Sequence, residues 1–168
     1  MDKEHIGVNN NDATGKFETT VVCEPSPLPL KFVDAVHELE RVCQMPILSL
    51  IQPDEGMGAW AAIGEQVAES VIAEVHALPK GKPIALLLNS PGGSASDAYR
   101  LACRINQWCG SFSVIVPGRA KSAATLLSLG ASRIVLGSLG ELGPLDPQLY
   151  LPSRLRKKPN SQWISSES

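Results

Sequence analysis

Beyond a polar opening stretch, short continuous apolar runs alternate along the chain with longer segments whose apolar positions recur every three to four residues. Such a pattern predicts strands alternating with helices. Phe32, Val33, Val36, Leu39 and Val42 recur at helical spacing up to about Cys43, and Pro46 closes that helix. Residues 47–51 follow as a short β-compatible apolar run, a buried strand. After a Gly56-Met57-Gly58 turn, Trp60, Ile63, Val67, Val71, Val75 and Leu78 line one face of a second helix that Pro79 and Gly81 terminate. A second buried strand is expected over 84–88. The next helix has Ala98, Leu101, Ala102, Ile105 and Trp108 on its apolar face and Ser94 or Ser96 as its cap. Residues 112–116 predict a third strand, 121–129 a short helix ended by Gly130, and 133–136 a fourth strand. Buried strands separated by helices imply an α/β fold, a mostly parallel sheet covered on both faces and joined by right-handed crossovers.

The remainder is poor in such patterns. Residues 1–29, with Asn9, Asn10, Asn11 and Gly15 followed by Pro25, Pro27 and Pro29, are expected to form a flexible tail and extended spacer. Residues 30–152 make up the domain, and 153–168 read as a basic, then Ser-rich tail. A length of 168 residues with 43% hydrophobic content suits one core. Lys and Arg total 15 against 17 Asp and Glu, so no basic excess exists to hold a phosphate backbone, which argues against nucleic acid as a partner. The four cysteines, Cys23, Cys43, Cys103 and Cys109, form no C-x-x-C pair, and no basic region followed by an apolar run opens the chain. Both features point to a reducing cytoplasm. Membrane association is not visible, because no apolar run approaches the ~18 residues of a spanning helix.

In parallel α/β sheets, reacting groups gather where strands give way to helix N-termini. Two segments fit. In Asn89-Ser90-Pro91-Gly92-Gly93, the proline fixes one φ angle and two glycines permit positive-φ backbone that turns N–H groups toward a ligand, as in half an oxyanion hole. In Gly118-Arg119-Ala120-Lys121-Ser122-Ala123-Ala124, a hydroxyl stands at the start of a small-residue helix with the Ala123 N–H beside it, where a tetrahedral oxyanion would develop. Singly, the first is common turn chemistry and the second a common cap. In this order along the chain, they point to a nucleophilic serine.

The segments LLLNSPGGSA (86–95), VIVPGRAKSAATLLSLGA (114–131) and ELGPLDPQ (141–148) resemble the serine dehydrogenase proteinase family of the Clp protease and crotonase superfamily, alongside the signal peptide peptidases. The resemblance implies a crotonase-like (Clp protease-like) fold of repeated β-β-α units and a serine peptidase acting on peptide or protein substrates as a homo-oligomer, with no metal or organic cofactor. It implies Ser122 as nucleophile, the N–H groups of Gly93 and Ala123 as oxyanion hole, and Gly92 and Ser94 on the substrate-binding side.

The chain departs from the Clp pattern at the base. Where Clp-type peptidases carry a histidine downstream of the serine, this chain has Asp146-Pro147-Gln148. Its histidines, His5, His37 and His76, all precede the serine, and His76 sits near a helix end where imidazole satisfies terminal carbonyls. A serine hydroxyl needs a base within hydrogen-bond reach. Lysine serves in signal peptide peptidases, which leaves Lys157 or Lys158 as candidates, with Asp146 adjacent to the site. Lys121 is less suited, since adjacent side chains at a helix start diverge. Two other readings share the scaffold: a crotonase-type enzyme acting on an acyl-CoA thioester, and a non-catalytic assembly module.

Overall fold

The computed structural model describes residues 20–22, 29–53, 60–145, 148–150 and 163–165. Its centre is a five-stranded sheet whose paired strands all run parallel. In spatial order these are β1 (Thr20–Val22), β2 (Ile47–Ile51), β3 (Ile84–Asn89), β4 (Phe112–Val116) and β6 (Arg133–Leu136). The helices α1 (Leu30–Cys43), α2 (Glu65–Ala77), α3 (Ala95–Cys109) and α4 (Ala123–Leu129) connect them.

Strand β3 shows why the strands read as unbroken apolar runs. Ile84, Leu86 and Leu88 pack with Val67, Val71 and Val75 of α2, Leu101 and Ile105 of α3 and Leu127 of α4. Ala85 and Leu87 point to the opposite face and meet Val36 and Phe32 of α1. With both faces covered, no position on β3 has to be polar until Asn89. Each fully buried Leu or Ile contributes about 1.5–3 kcal/mol, so the anchored part of the sheet is its middle. The outermost β6, mostly exposed, is its weakly held edge.

The expected strands at 47–51 and 112–116 appear as drawn, and that at 84–88 gains Asn89. Other boundaries shift toward the site. Helix α2 starts at Glu65 because Ile63 is taken up in a parallel bridge with Gly93. Helix α4 starts at Ala123 because Ser122 leaves the helical region of backbone space. Thr20–Val22, inside the expected tail, pairs with β2. Past Gly137 lies β7 (Glu141–Leu142), paired with β5 (Arg119–Ala120), and β8 (Gln148–Tyr150) pairs with β9 (Trp163–Ser165), the latter inside the expected C-terminal tail. These strands of two or three residues depend on backbone ladders with distant partners, for which local periodicity carries no signal.

Candidate active site

The loops leaving β3 and β4 are joined backbone to backbone. Ser90 N–H donates to Arg119 C=O at 2.9 Å, and Lys121 N–H donates to Ser90 C=O at 3.1 Å. Asn89 Oδ1 accepts the Arg119 N–H at 3.0 Å. A Cβ at Gly118 would lie 2.6 Å from that same oxygen, so this close approach requires glycine. Segments 89–93 and 118–123 therefore form one rigid unit.

Ser122 occupies the bend between β5 and α4 with φ 48° and ψ −119°, backbone that an L-residue adopts at a cost of about 1–3 kcal/mol. Its own N–H donates to Pro144 C=O at 3.1 Å, and Ala124 N–H reaches back to Lys121 C=O at 2.9 Å, so the bend is held from both sides. The hydroxyl does not cap α4, and among the described residues it makes no hydrogen bond. The side chain is half-buried. A serine kept in strained backbone with its hydroxyl unspent is not serving as a helix cap.

The double-glycine bend lies directly against it. Gly92 has φ +105°, and a Cβ there would fall 2.9 Å from Ser122 Cβ and 3.2 Å from Ala123 N. Gly93 has φ +143°, and its Cβ would fall 2.2 Å from Ile63 C=O. The bend is clamped by Ile63 N–H donating to Gly92 C=O and Ser94 N–H donating to Ile63 C=O, each at 2.7 Å. Among the described residues, the N–H groups of Gly93 and Ala123 donate to no protein acceptor. Two unspent backbone donors thus sit on the two turns that meet beside one unspent hydroxyl.

The family model of ClpP-like SDH-type serine proteinases matches residues 30–156. The chain belongs to this family. Two uncharacterized proteins of Methanocaldococcus jannaschii are similar to this serine proteinase family member. One is 31% identical over 73% of the chain and 44% of its own length, the other 26% identical over 71% and 43%. The chain thus spans less than half the length of either relative. Among solved structures, ClpP1 from Listeria monocytogenes aligns with a TM-score of 0.47 at 16% identity, covering 64% of this chain and 62% of its own. The ClpP protease catalytic domain from Plasmodium falciparum aligns with a TM-score of 0.46 at 17% identity, covering 66% and 62%.

In this proteinase-family chain the remaining sequence candidates divide clearly. Ser94 caps α3, its hydroxyl accepting the Asp97 N–H at 3.3 Å and lying 3.0 Å from Ser96 Oγ. Lys121 Nζ is turned to Glu141 Oε1 at 2.8 Å. His76 packs at a tilt against Trp108, with 4.4 Å between ring centroids and 43° between the ring planes, on the surface shared by α2 and α3. Asp146, Lys157 and Lys158 lie outside the described residues. No cluster of metal-ligating side chains occurs among the described residues, and no described helix is long and apolar enough to cross a membrane. Cys109 is buried, and burial pushes its thiol pKa up, which makes it a poor nucleophile.

Behind the site lie polar groups that the sequence pattern does not single out. Gln52 and Ser90 are buried and bonded to each other. Thr125 Oγ1 donates to Ala120 C=O at 2.6 Å and accepts the Gly143 N–H at 2.7 Å, bracing α4 against the segment that holds Ser122 N–H. The available signal was a polar residue just beyond the end of an apolar strand, as with Gln52 and Ser90, or inside a small-residue helix, as with Thr125.

Proposed function

We propose that this protein is a serine-type peptidase that cleaves peptide bonds through a Ser122 acyl-enzyme. The observation that carries the reading is the strained, uncapped Ser122 set against a double-glycine bend whose neighbouring N–H groups are unspent. Family membership supports it.

In this reading Ser122 Oγ attacks the scissile carbonyl while its proton passes to a base. The C=O π electrons move onto the oxygen, which the Gly93 and Ala123 N–H groups receive. Collapse of the tetrahedral species expels the amine, which takes the proton from the base, and water then releases the acyl group by the reverse sequence. Lys157 or Lys158 supplies the base, with Asp146 beside the site. A lysine in that role requires desolvation to bring its pKa toward neutrality. The Lys121–Glu141 ion pair favours a base other than Lys121. Gly92 shapes the substrate-facing wall with Ser94 at its end, the substrate is a peptide or protein, and the working form is a homo-oligomer in the cytoplasm.

The test is covalent labelling with a fluorophosphonate, read by intact mass and peptide mapping. The expected result is one adduct on Ser122 in the wild type and none in Ser122→Ala. A folded wild type that takes no adduct, or equal adducts in both proteins, overturns the assignment and leaves a non-catalytic assembly module. Tight binding of coenzyme A by such an unlabelled protein would favour thioester chemistry.

A further inference from the structure

The double-glycine bend is held from beneath by a directional relay of buried side chains. Trp60 C=O can only accept, so the Gln52 amide presents its NH₂ to it, with Nε2 at 2.9 Å. That turns Gln52 Oε1 toward Ser90, whose hydroxyl donates to it at 2.5 Å. With its proton committed there, Ser90 Oγ has lone pairs for the Gly92 N–H at 3.0 Å. Gln52 is 2% exposed and Ser90 0%, so each of these groups would be costly to leave unpartnered. The Gln52 backbone N–H is committed as well, to Asn89 C=O at 2.8 Å, which locks the relay to the end of β3.

This relay has a consequence for the neighbouring peptide. Gly92 has its N–H drawn inward to Ser90 and its C=O taken by Ile63, so both of its polar groups face the protein. With φ +105° and +143° at the two glycines, the chain then turns, and the Gly93 N–H is left unspent. We propose that Ser90, oriented by Gln52, is a positioning residue that sets the direction of the Gly93 N–H in front of Ser122. The inference rests on the peptidase reading for its catalytic meaning. The structural half, that Ser90 holds Gly92, stands separately.

Ser90 touches no reacting atom in this scheme, so its removal acts on the oxyanion and not on substrate affinity. The variants are Ser90→Ala, which removes both bonds at once, Gln52→Met, which keeps volume but removes the acceptor of the Ser90 hydroxyl, and Ser90→Cys, which keeps the shape with a weaker donor and acceptor. Fluorophosphonate inactivation of Ser122 is resolved into its saturation constant and its maximal rate. In parallel, amide hydrogen exchange of Gly92 is followed by NMR, with the Leu86 amide in β3 as internal reference.

The maximal rate is expected to fall about 10- to 100-fold in Ser90→Ala, in line with the cost of a misplaced catalytic group. The saturation constant changes less than about 3-fold, and Ser90→Cys recovers part of the loss. Gly92 exchange accelerates by at least about 10-fold while Leu86 stays protected, as expected for a local loss of restraint. An unchanged maximal rate with unchanged Gly92 exchange overturns the proposal, as does a Ser90→Cys no better than alanine. If Ser90→Ala does not fold, Gln52→Met decides by the same criteria. A wild type that is never labelled sinks the peptidase reading instead, and Gly92 exchange alone then upholds or refutes the relay.

Discussion

Replacing Gly92 by alanine perturbs the contact between the two turns with the smallest possible probe. The added methyl would meet Lys121 C=O at 2.5 Å and Ser122 Cβ at 2.9 Å, in backbone with φ +105°. An alanine held at such a φ costs about 1–3 kcal/mol. The steric conflict adds about 1–3 kcal/mol, because the nearest atom is backbone and cannot swing aside. A combined loss of about 2–6 kcal/mol is a large share of an ordinary domain's stability of ~5–15 kcal/mol. Gly81 is the matched control, since its φ is +78° but a Cβ there would have nothing within 4 Å. Gly81→Ala therefore carries the backbone cost alone, about 1–2 kcal/mol. Urea unfolding followed by tryptophan fluorescence gives both losses, and fluorophosphonate labelling below the transition gives the effect on the site. Gly92→Ala should lose at least about 1 kcal/mol more than Gly81→Ala and label Ser122 at least about 10-fold more slowly. Equal losses with unaltered labelling would refute the close approach of the two turns.

Ser122→Gly should unfold at higher urea than Ser122→Ala, by about 1–2 kcal/mol, because glycine accepts φ 48° without a Cβ penalty; identical midpoints would mean that the backbone there is relaxed. Lys121→Ala should cost less than about 1 kcal/mol in urea unfolding, since its ion pair with Glu141 is partly solvated, and should leave the pH profile of labelling unmoved. Thr125→Val, which takes one hydrogen bond each from Ala120 C=O and the Gly143 N–H while their direct bond at 3.1 Å remains, should cost about 0.5–1.5 kcal/mol by the same measurement. With a thiol reagent at pH 8, exposed Cys103 should react well before Cys109, which is buried with a raised thiol pKa; comparable rates, read by mass spectrometry, would contradict that burial.

The alternation of apolar runs with helical periodicity made the centre of the sheet legible, because strands covered on both faces are apolar along most of their length, Ser49 in β2 being an exception. Ser122 and the two glycines were legible for a different reason. Positive-φ bends and small neighbours restrict residue type so strongly that their order along the chain is informative. The relay through Gln52 and Ser90 was not legible. It joins residues 38 positions apart by side-chain hydrogen bonds, and neither residue belongs to a periodic pattern. The start of α4 was not legible because Lys121 and Ser122 suit a first helical turn, and part of what holds the bend that excludes them, the Pro144 C=O, arrives with the later β7 segment.

If Ser122 is the nucleophile, the Gly93 and Ala123 N–H groups converge on one point in front of its Oγ. A crystal structure of the protein inactivated with a fluorophosphonate tests it most directly. Phosphorus is expected on Ser122 Oγ, with its phosphoryl oxygen ~2.7–3.1 Å from both nitrogens. An adduct whose phosphoryl oxygen points to solvent, away from the glycine bend, would contradict it.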